Sequence, residues 1–288
     1  MALPRESSTT YHHEVIMKLE DLFDQLHALP TIPKVAQDLI RQFDDPKTNL
    51  DSLARNIELD PVIAAKLLRL ANSAHYRGGR DSTSVEDAAM RVGFGMLRIL
   101  VLASGVTGAF QVKGNFDIKG FWRHSFEVAS ISRLLAKPHG VDPETAFTCG
   151  MMHNIGELLI QAAAPQHVGA LATSASSAGH AAEETLQLGF GYPEVGAELA
   201  RRWKLPGVIQ HAIAFQARPA QAPSGEALAR LIAQAVLIAD ALDRYDGPTE
   251  EARQAVEGPL TSDLDLDPIF KALPKVIEAN RAFTEVLS

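Results

Sequence analysis

Three sites in this chain place polar residues of metal-binding type in apolar surroundings. They are His124 in Phe121-Trp122-Arg123-His124-Ser125-Phe126, the adjacent pair His153-Asn154 in the run Met151 to Ile160, and Asp240 in Leu237-Ile238-Ala239-Asp240-Ala241-Leu242. A polar group in such a setting is costly unless it has a partner. Helices that carry the three sites would bring them to one point in a bundle interior. Imidazole nitrogen and carboxylate oxygen hold divalent cations, whereas a carboxamide oxygen is a weak, neutral ligand. An aspartate at 154 would complete a charged first shell. Asparagine has nearly the same shape without the charge. Glu157 lies four residues after His153 and would share its helix face. It could complete a rearranged set of two nitrogens and two carboxylates suited to zinc, but the favoured reading is a solvated edge position in an ion pair. Taken singly, each histidine also reads as a hydrogen-bonded core or boundary residue. Cys149, one turn earlier, reads as a small buried apolar side chain.

A second candidate is the Gly-rich turn Tyr76-Arg77-Gly78-Gly79-Arg80. Tyr76, Arg77 and Arg80 could meet a partner or an anion. Asn72 and Ser73 before it are expected to bond helix-end carbonyls and fix the turn. Trp203, beside Arg201 and Arg202, reads as a core residue more readily than as an interface anchor.

The elements that must position these groups are helices. Asp60-Pro61 is an N-cap with proline in the first turn, and Ser84-Val85-Glu86-Asp87 has the form of a capping box with Gly93 as the stop. Met96 to Val106 is apolar on most sides and predicts a buried helix. Asp142-Pro143-Glu144 opens the helix expected to carry His153, Tyr192-Pro193-Glu194 opens another, and a further apolar segment runs from Leu228 to Leu242. Ala170 to Ala182 is compositionally simple and reads as a helix end plus a loop. Strand-type alternation is almost absent. The tail from Pro248 predicts two helices, one striped by Leu264, Ile269, Phe270 and Leu273, the other by Val276, Ile277 and Phe283.

Composition narrows the class of function. The 288 residues are 46% hydrophobic and 22% charged, with a formal net charge of −8 and one cysteine. A chain of that length buries a sizeable core, and the absence of a basic run argues against direct nucleic-acid binding. A lone cysteine suits a reducing cytoplasm, and no apolar run reaches the roughly 18 residues of a membrane span. Residues 1–13, including His12 and His13, are expected to be loose and solvated.

Several motifs together resemble the HD-related output domain (HDOD) family of the HD superfamily. They are Leu29-Pro30-Thr31-Ile32-Pro33; Asp60-Pro61-Val62-Ile63-Ala64-Ala65-Lys66-Leu67-Leu68-Arg69-Leu70-Ala71-Asn72-Ser73-Ala74; Ala88-Ala89-Met90-Arg91-Val92-Gly93; and Val195-Gly196 through Trp203-Lys204-Leu205-Pro206. The resemblance spans roughly residues 25–245. It implies an all-α fold, an HD-like multi-helix bundle (115–245) with an N-terminal helical lobe (14–110), followed by a helical extension (246–288). It also implies that His124, His153, Asn154 and Asp240 stand at the superfamily's metal positions. Asn154 replaces the metal-bridging aspartate, Tyr192 stands where a histidine often precedes Glu-Val-Gly, Gln216 and Ala217 replace a His-His pair, and Glu157 replaces a common lysine.

These departures weaken cation and phosphate binding alike, and without a cation no bound water is activated. The expectation is therefore a vestigial site with no metal and no cofactor. The chain would be a non-catalytic signalling output module, acting on signalling proteins through surface contacts. The alternatives are a phosphohydrolase for nucleotides or cyclic dinucleotides with a rearranged site, and a ligand sensor built on the old cleft. In the resembling family such domains often adjoin receiver or cyclic-dinucleotide domains. None is visible here, so the chain works alone, takes its input from a separate protein, or belongs to a longer one.

Overall fold

The computed structural model describes residues 18–24, 50–109, 116–164, 176–223 and 226–287, and among them every regular element is helical. The expectations for residues 1–13, for Leu29 to Pro33 and for 170–175 lie outside the described residues.

The front of the chain forms α1 (Leu19–Asp24), α2 (Leu50–Glu58), α3 (Pro61–Ala71), α4 (Val85–Val92) and α5 (Phe94–Ala109). Local chemistry sets their ends. Asp60 Oδ1 accepts from the Val62 and Ile63 amides at 3.0 and 3.1 Å, and Ser84 Oγ accepts from Asp87 N at 3.1 Å. Gly93 ends α4 at φ 85°, a left-handed conformation that glycine adopts without strain. α5 follows at once and buries Leu97, Leu100, Val101 and Ala103. α1 is placed differently from a front-lobe helix. It packs on α8 of the bundle, and the Arg202 guanidinium lies 4.1 Å from the Phe23 ring centroid.

The bundle comprises α6 (Ile118–Ala136), α7 (Pro143–Met152), α8 (Ile155–Ala163), α9 (Ser177–Leu188), α10 (Tyr192–Arg202), α11 (Gly207–Phe215) and α12 (Glu226–Arg244), with a 3₁₀ turn at Pro219–Gln221. α6 is central and packs on α7 and α12. Two close approaches fix the layers. A Cβ on Gly150 of α7 would fall 2.6 Å from Ala129 Cα of α6, and one on Gly156 of α8 would fall 2.1 Å from the Tyr192 carbonyl oxygen of α10. Ser177–Leu188 is helical throughout, so the simple-composition segment is helix, and not loop, beyond Ser176.

Two expectations are corrected here. The helix begun at Asp142-Pro143 does not run through His153. It ends at Met152, the chain turns at His153-Asn154, and α8 restarts at Ile155. The tail also holds the two helices expected, but the two stripes are not divided between them. After the short α13 (Glu250–Ala255), one continuous α14 (Leu266–Leu287) carries Ile269, Phe270 and Leu273 of the first stripe and all of the second through Pro274, while Leu264 precedes it. An internal proline costs a helix about 3 kcal/mol, and burial of Ile269, Phe270 and Leu273 outweighs it. α14 packs on α6, α3 and α5, which makes it a bridge between the front helices and the bundle.

Candidate functional site

The three polar sites meet where α6, the α7–α8 turn and α12 face one another. The His124 and His153 rings lie 5.6 Å apart between centroids, inclined at 53°. His124 Nε2 is 3.8 Å from Asp240 Oδ1, too long for a hydrogen bond. The three residues do not hydrogen-bond one another; each has a different partner. His124 Nδ1 pairs with Asp243 Oδ2 at 3.1 Å. His153 Nδ1 sits 2.7 Å from the Gly150 carbonyl, so that nitrogen carries the proton. Asp240 turns to the start of α9, accepting from Ser177 N at 2.9 Å and Ser177 Oγ at 2.7 Å. The Nε2 atoms of His124 and His153 are buried without a hydrogen-bond partner among the described residues.

Asn154 is 3% exposed, and its amide oxygen lies 3.0 Å from Ser125 Oγ. The same hydroxyl is 2.8 Å from the Phe121 carbonyl and has a single proton to give. Asn154 suits that environment because an amide offers both donor and acceptor atoms. A carboxylate there would have to compete with Phe121 for the one proton.

Electrostatics follow the same partition. Burial, helped by nearby His124, pushes His153 down to about 3, so it is a neutral imidazole. For His124 burial acts downward, but the Asp243 hydrogen bond and the charges of Asp240 and Asp243 outweigh it and raise the pKa. Asp243 is lowered because its bonds from His124 and Arg123 outweigh its own burial. Arg123 bridges Asp243 and Glu127, and burial raises the Glu127 carboxyl.

Glu157 is not the ion-paired edge residue expected. It is partly buried, forms no ion pair with a described residue, and is pushed up to about 7, first by burial. The same burial, with Glu157 next, raises Tyr192 well above the ordinary phenol value. Its backbone is tied to the site, since Tyr192 N donates to Glu184 Oε2 at 2.5 Å, and Glu184 Oε1 faces His180 Nε2 at 3.3 Å. Gln216 is buried and donates to the carbonyls of His153 (2.6 Å) and Ile213 (3.0 Å), while Ala217 is exposed.

The raised Glu157 carboxyl has a testable consequence. Its folded pKa of about 7 exceeds the ordinary 4.5, so the folded chain keeps a proton that the unfolded chain releases. Its contribution is full below about 4.5 and is lost as pH rises through about 7. His153 works oppositely, because a folded pKa of about 3 against 6.5 removes stability as pH falls through that interval. Glu157→Gln is expected to be more stable than the parent by about 2 kcal/mol at about pH 8, after discounting for partial exposure, and equal to it near about pH 4. Urea unfolding at the two pH values measures this.

The fold type implies a divalent cation, and the residues present do not fit one. Asn154 contributes no charge, and both Asp240 oxygens are held by Ser177. Among the described residues, the group whose ligand atoms lie within 4.8 Å of one another is His124, Glu127 and Asp243. Arg123 already bonds both of those carboxylates, so a guanidinium occupies the cation's role.

The residues missed in sequence are Asp243, Arg123, Ser125 and Ser177. Asp243 was open to inference, since it lies three residues after Asp240 on one helix and therefore shares its face. The Tyr76 turn stands apart in the front helices. Arg77 pairs with Asp81 (2.9 Å) and Arg80 with Asp87 (3.3 Å), while Tyr76 packs against the core. Asn72 and Ser73 do not bond helix-end carbonyls through their side chains as expected: Asn72 exchanges bonds of 2.9 and 2.7 Å with the backbone of Ser82, and Ser73 Oγ has no hydrogen-bond partner among the described residues.

A family model described as HDOD domain matches residues 29–219. The chain belongs to the HDOD domain family. A solved HDOD domain protein of unknown function from Geobacter sulfurreducens superposes with a TM-score of 0.76 at 25% identity, covering 94% of this chain and 97% of its own. A protein of Shewanella amazonensis SB2B named "Putative phosphohydrolase" gives 0.74 at 32% identity, with 96% and 99% covered. Among curated proteins, an uncharacterised protein of Treponema pallidum (strain Nichols) is 26% identical over 204 residues, and the match spans 69% of this chain but 40% of that relative's length. The HDOD match ends before Asp240, Asp243 and the whole of α12–α14. No helix of the described residues is long and apolar enough to cross a membrane.

Proposed function

We propose that this HDOD chain is a non-catalytic signal-transduction module, cytoplasmic, acting through contacts with other signalling proteins. The observation that carries this reading is the internal engagement of the metal positions. Asn154 is matched to Ser125, Asp240 to Ser177, and His124 to an Asp243 that also binds Arg123. Asn154 and Asp240 are thus held by neighbours that an ion would have to displace, whereas His124 is engaged through Nδ1 alone. A solved relative from Marinobacter aquaeolei VT8 carries the name "Putative signal transduction protein", with a TM-score of 0.73 at 25% identity. That supports the same direction without assigning a partner. The test is phosphodiesterase turnover of a chromogenic phosphodiester and of a cyclic dinucleotide, with Mn²⁺, Zn²⁺ or Mg²⁺ added. The expected result is no turnover above the metal-only blank. Turnover that disappears in His153→Ala would overturn the reading.

One observation favours a second reading. The unpartnered Nε2 atoms of His124 and His153, with Glu157 near them, are what a rearranged metallohydrolase would present. That reading requires Asp240 to leave Ser177 and Glu157 to ionise.

A further inference from the structure

We infer that a cleft between α6, the α12–α13 turn and α14 binds an organic cation, an ammonium or guanidinium carried on an aliphatic stem. The cleft encloses about 790 Å³, within the range of small-ligand sites. It goes beyond the function proposed above and does not depend on it. Asp246, Pro248, Pro274 and Glu278, which line the cleft, lie after residue 219, where the family match ends.

Charge decides the sign of the occupant. Four carboxylates line the cleft (Glu127, Asp243, Asp246 and Glu278) against two cationic side chains (Lys119 and Arg123), so the lining carries a formal excess of two negative charges. Arg123 is taken by Glu127 and Asp243. Asp246 and Glu278 form no ion pair with a described residue and leave negative potential facing the cleft. An anion is therefore disfavoured. A bare metal ion is disfavoured too, because among the described residues Asp246 and Glu278 do not gather with a third ligand within the 4.8 Å that the His124 group meets. A larger cation spans separated carboxylates, and Leu242, Pro248, Pro274 and Ile277 supply an apolar wall for its methylenes.

Both walls are fixed, which lowers the cost of ordering them on binding. The turn that presents Asp246 is bolted by Gly247 N to the Leu242 carbonyl (2.8 Å), and Ser130 Oγ on α6 donates to Asn280 Oδ1 on α14 (3.0 Å). One wall also reaches the vestigial site. Asp243 faces the cleft while its Oδ2 pairs with His124 at 3.1 Å, so a cation beside it would compete with Arg123 next to that histidine.

Isothermal titration of the intact chain with spermidine, with a capped arginine-containing tripeptide and with AMP tests the inference. At least one cation should bind saturably with a dissociation constant of about 1 mM or tighter, and AMP should not. Tighter spermidine binding would identify a free polyamine as the source, and tighter tripeptide binding a basic side chain of a partner. The double variant Asp246→Asn/Glu278→Gln should weaken binding by about tenfold, and Lys119→Gln should tighten it by about two- to threefold by removing repulsion. Absence of saturation with both cations up to about 10 mM, or equal affinity in the double variant, overturns the inference. If the double variant does not fold, Lys119→Gln decides alone: Lys119 is exposed and forms no ion pair with a described residue, so unchanged or weaker binding there also overturns it.

Discussion

Asn154→Asp is expected to destabilise the metal-free protein by about 3 kcal/mol near neutral pH, the order seen when a buried charge lacks a partner. The side chain is 3% exposed, and its neighbour Ser125 has one proton, for which the Phe121 carbonyl also competes. The new carboxylate would gain no second donor there. It would, however, join a site where His124 Nε2 and His153 Nε2 have no hydrogen-bond partner among the described residues. Adding about 1 mM Mn²⁺ should therefore raise the variant's Tm by several degrees and leave the parent's unmoved. Thermal unfolding of both proteins with chelator and with Mn²⁺ gives the comparison. An equal rise in both would mean that the parent already holds a cation site and that Asn154 is not what removes it.

Gly156→Ala is expected to cost about 3–5 kcal/mol, among the largest effects of a single methyl group. Its Cβ would fall 2.1 Å from the Tyr192 carbonyl oxygen and 2.7 Å from Gly196 N, both backbone atoms that cannot swing aside. α8 and α10 would have to part, carrying Glu157 and Tyr192 with them. Gly79→Ala is the control, since a Cβ there meets nothing within 4 Å, and it should change stability by less than about 0.5 kcal/mol. Chemical denaturation of the two variants beside the parent measures both. Comparable stability for Gly156→Ala would mean that the two helices are not as close as described.

Helix starts were legible because they depend on short-range chemistry. Asp60-Pro61, Ser84 with Asp87, and Asp142-Pro143 each bind amides two or three residues ahead. The break at His153-Asn154 was not legible. Apolar residues continue across it from Met151 to Ile160, and the turn is set by the fit of α7 to α6 and of α8 to α10, at Gly150 and Gly156. The division of the tail failed in the other direction: α14 runs on through Pro274, because proline ends a helix only where packing does not outweigh its lost bond. At the site, residue types suggested which groups meet, but partner choice depends on facing helices. Asp240 goes to Ser177 across 63 positions and His124 to Asp243 across 119, neither of which a local pattern encodes.

Asn154 and Asp240 are engaged within the protein, which would leave neither available to a cation. Elemental analysis of the protein, purified without chelator after exposure to Mn²⁺ and Zn²⁺, tests that directly. The prediction is less than about 0.1 metal ion per chain in the parent and a clear gain in Asn154→Asp. About one ion per chain in the parent, lost in His153→Ala, would contradict it.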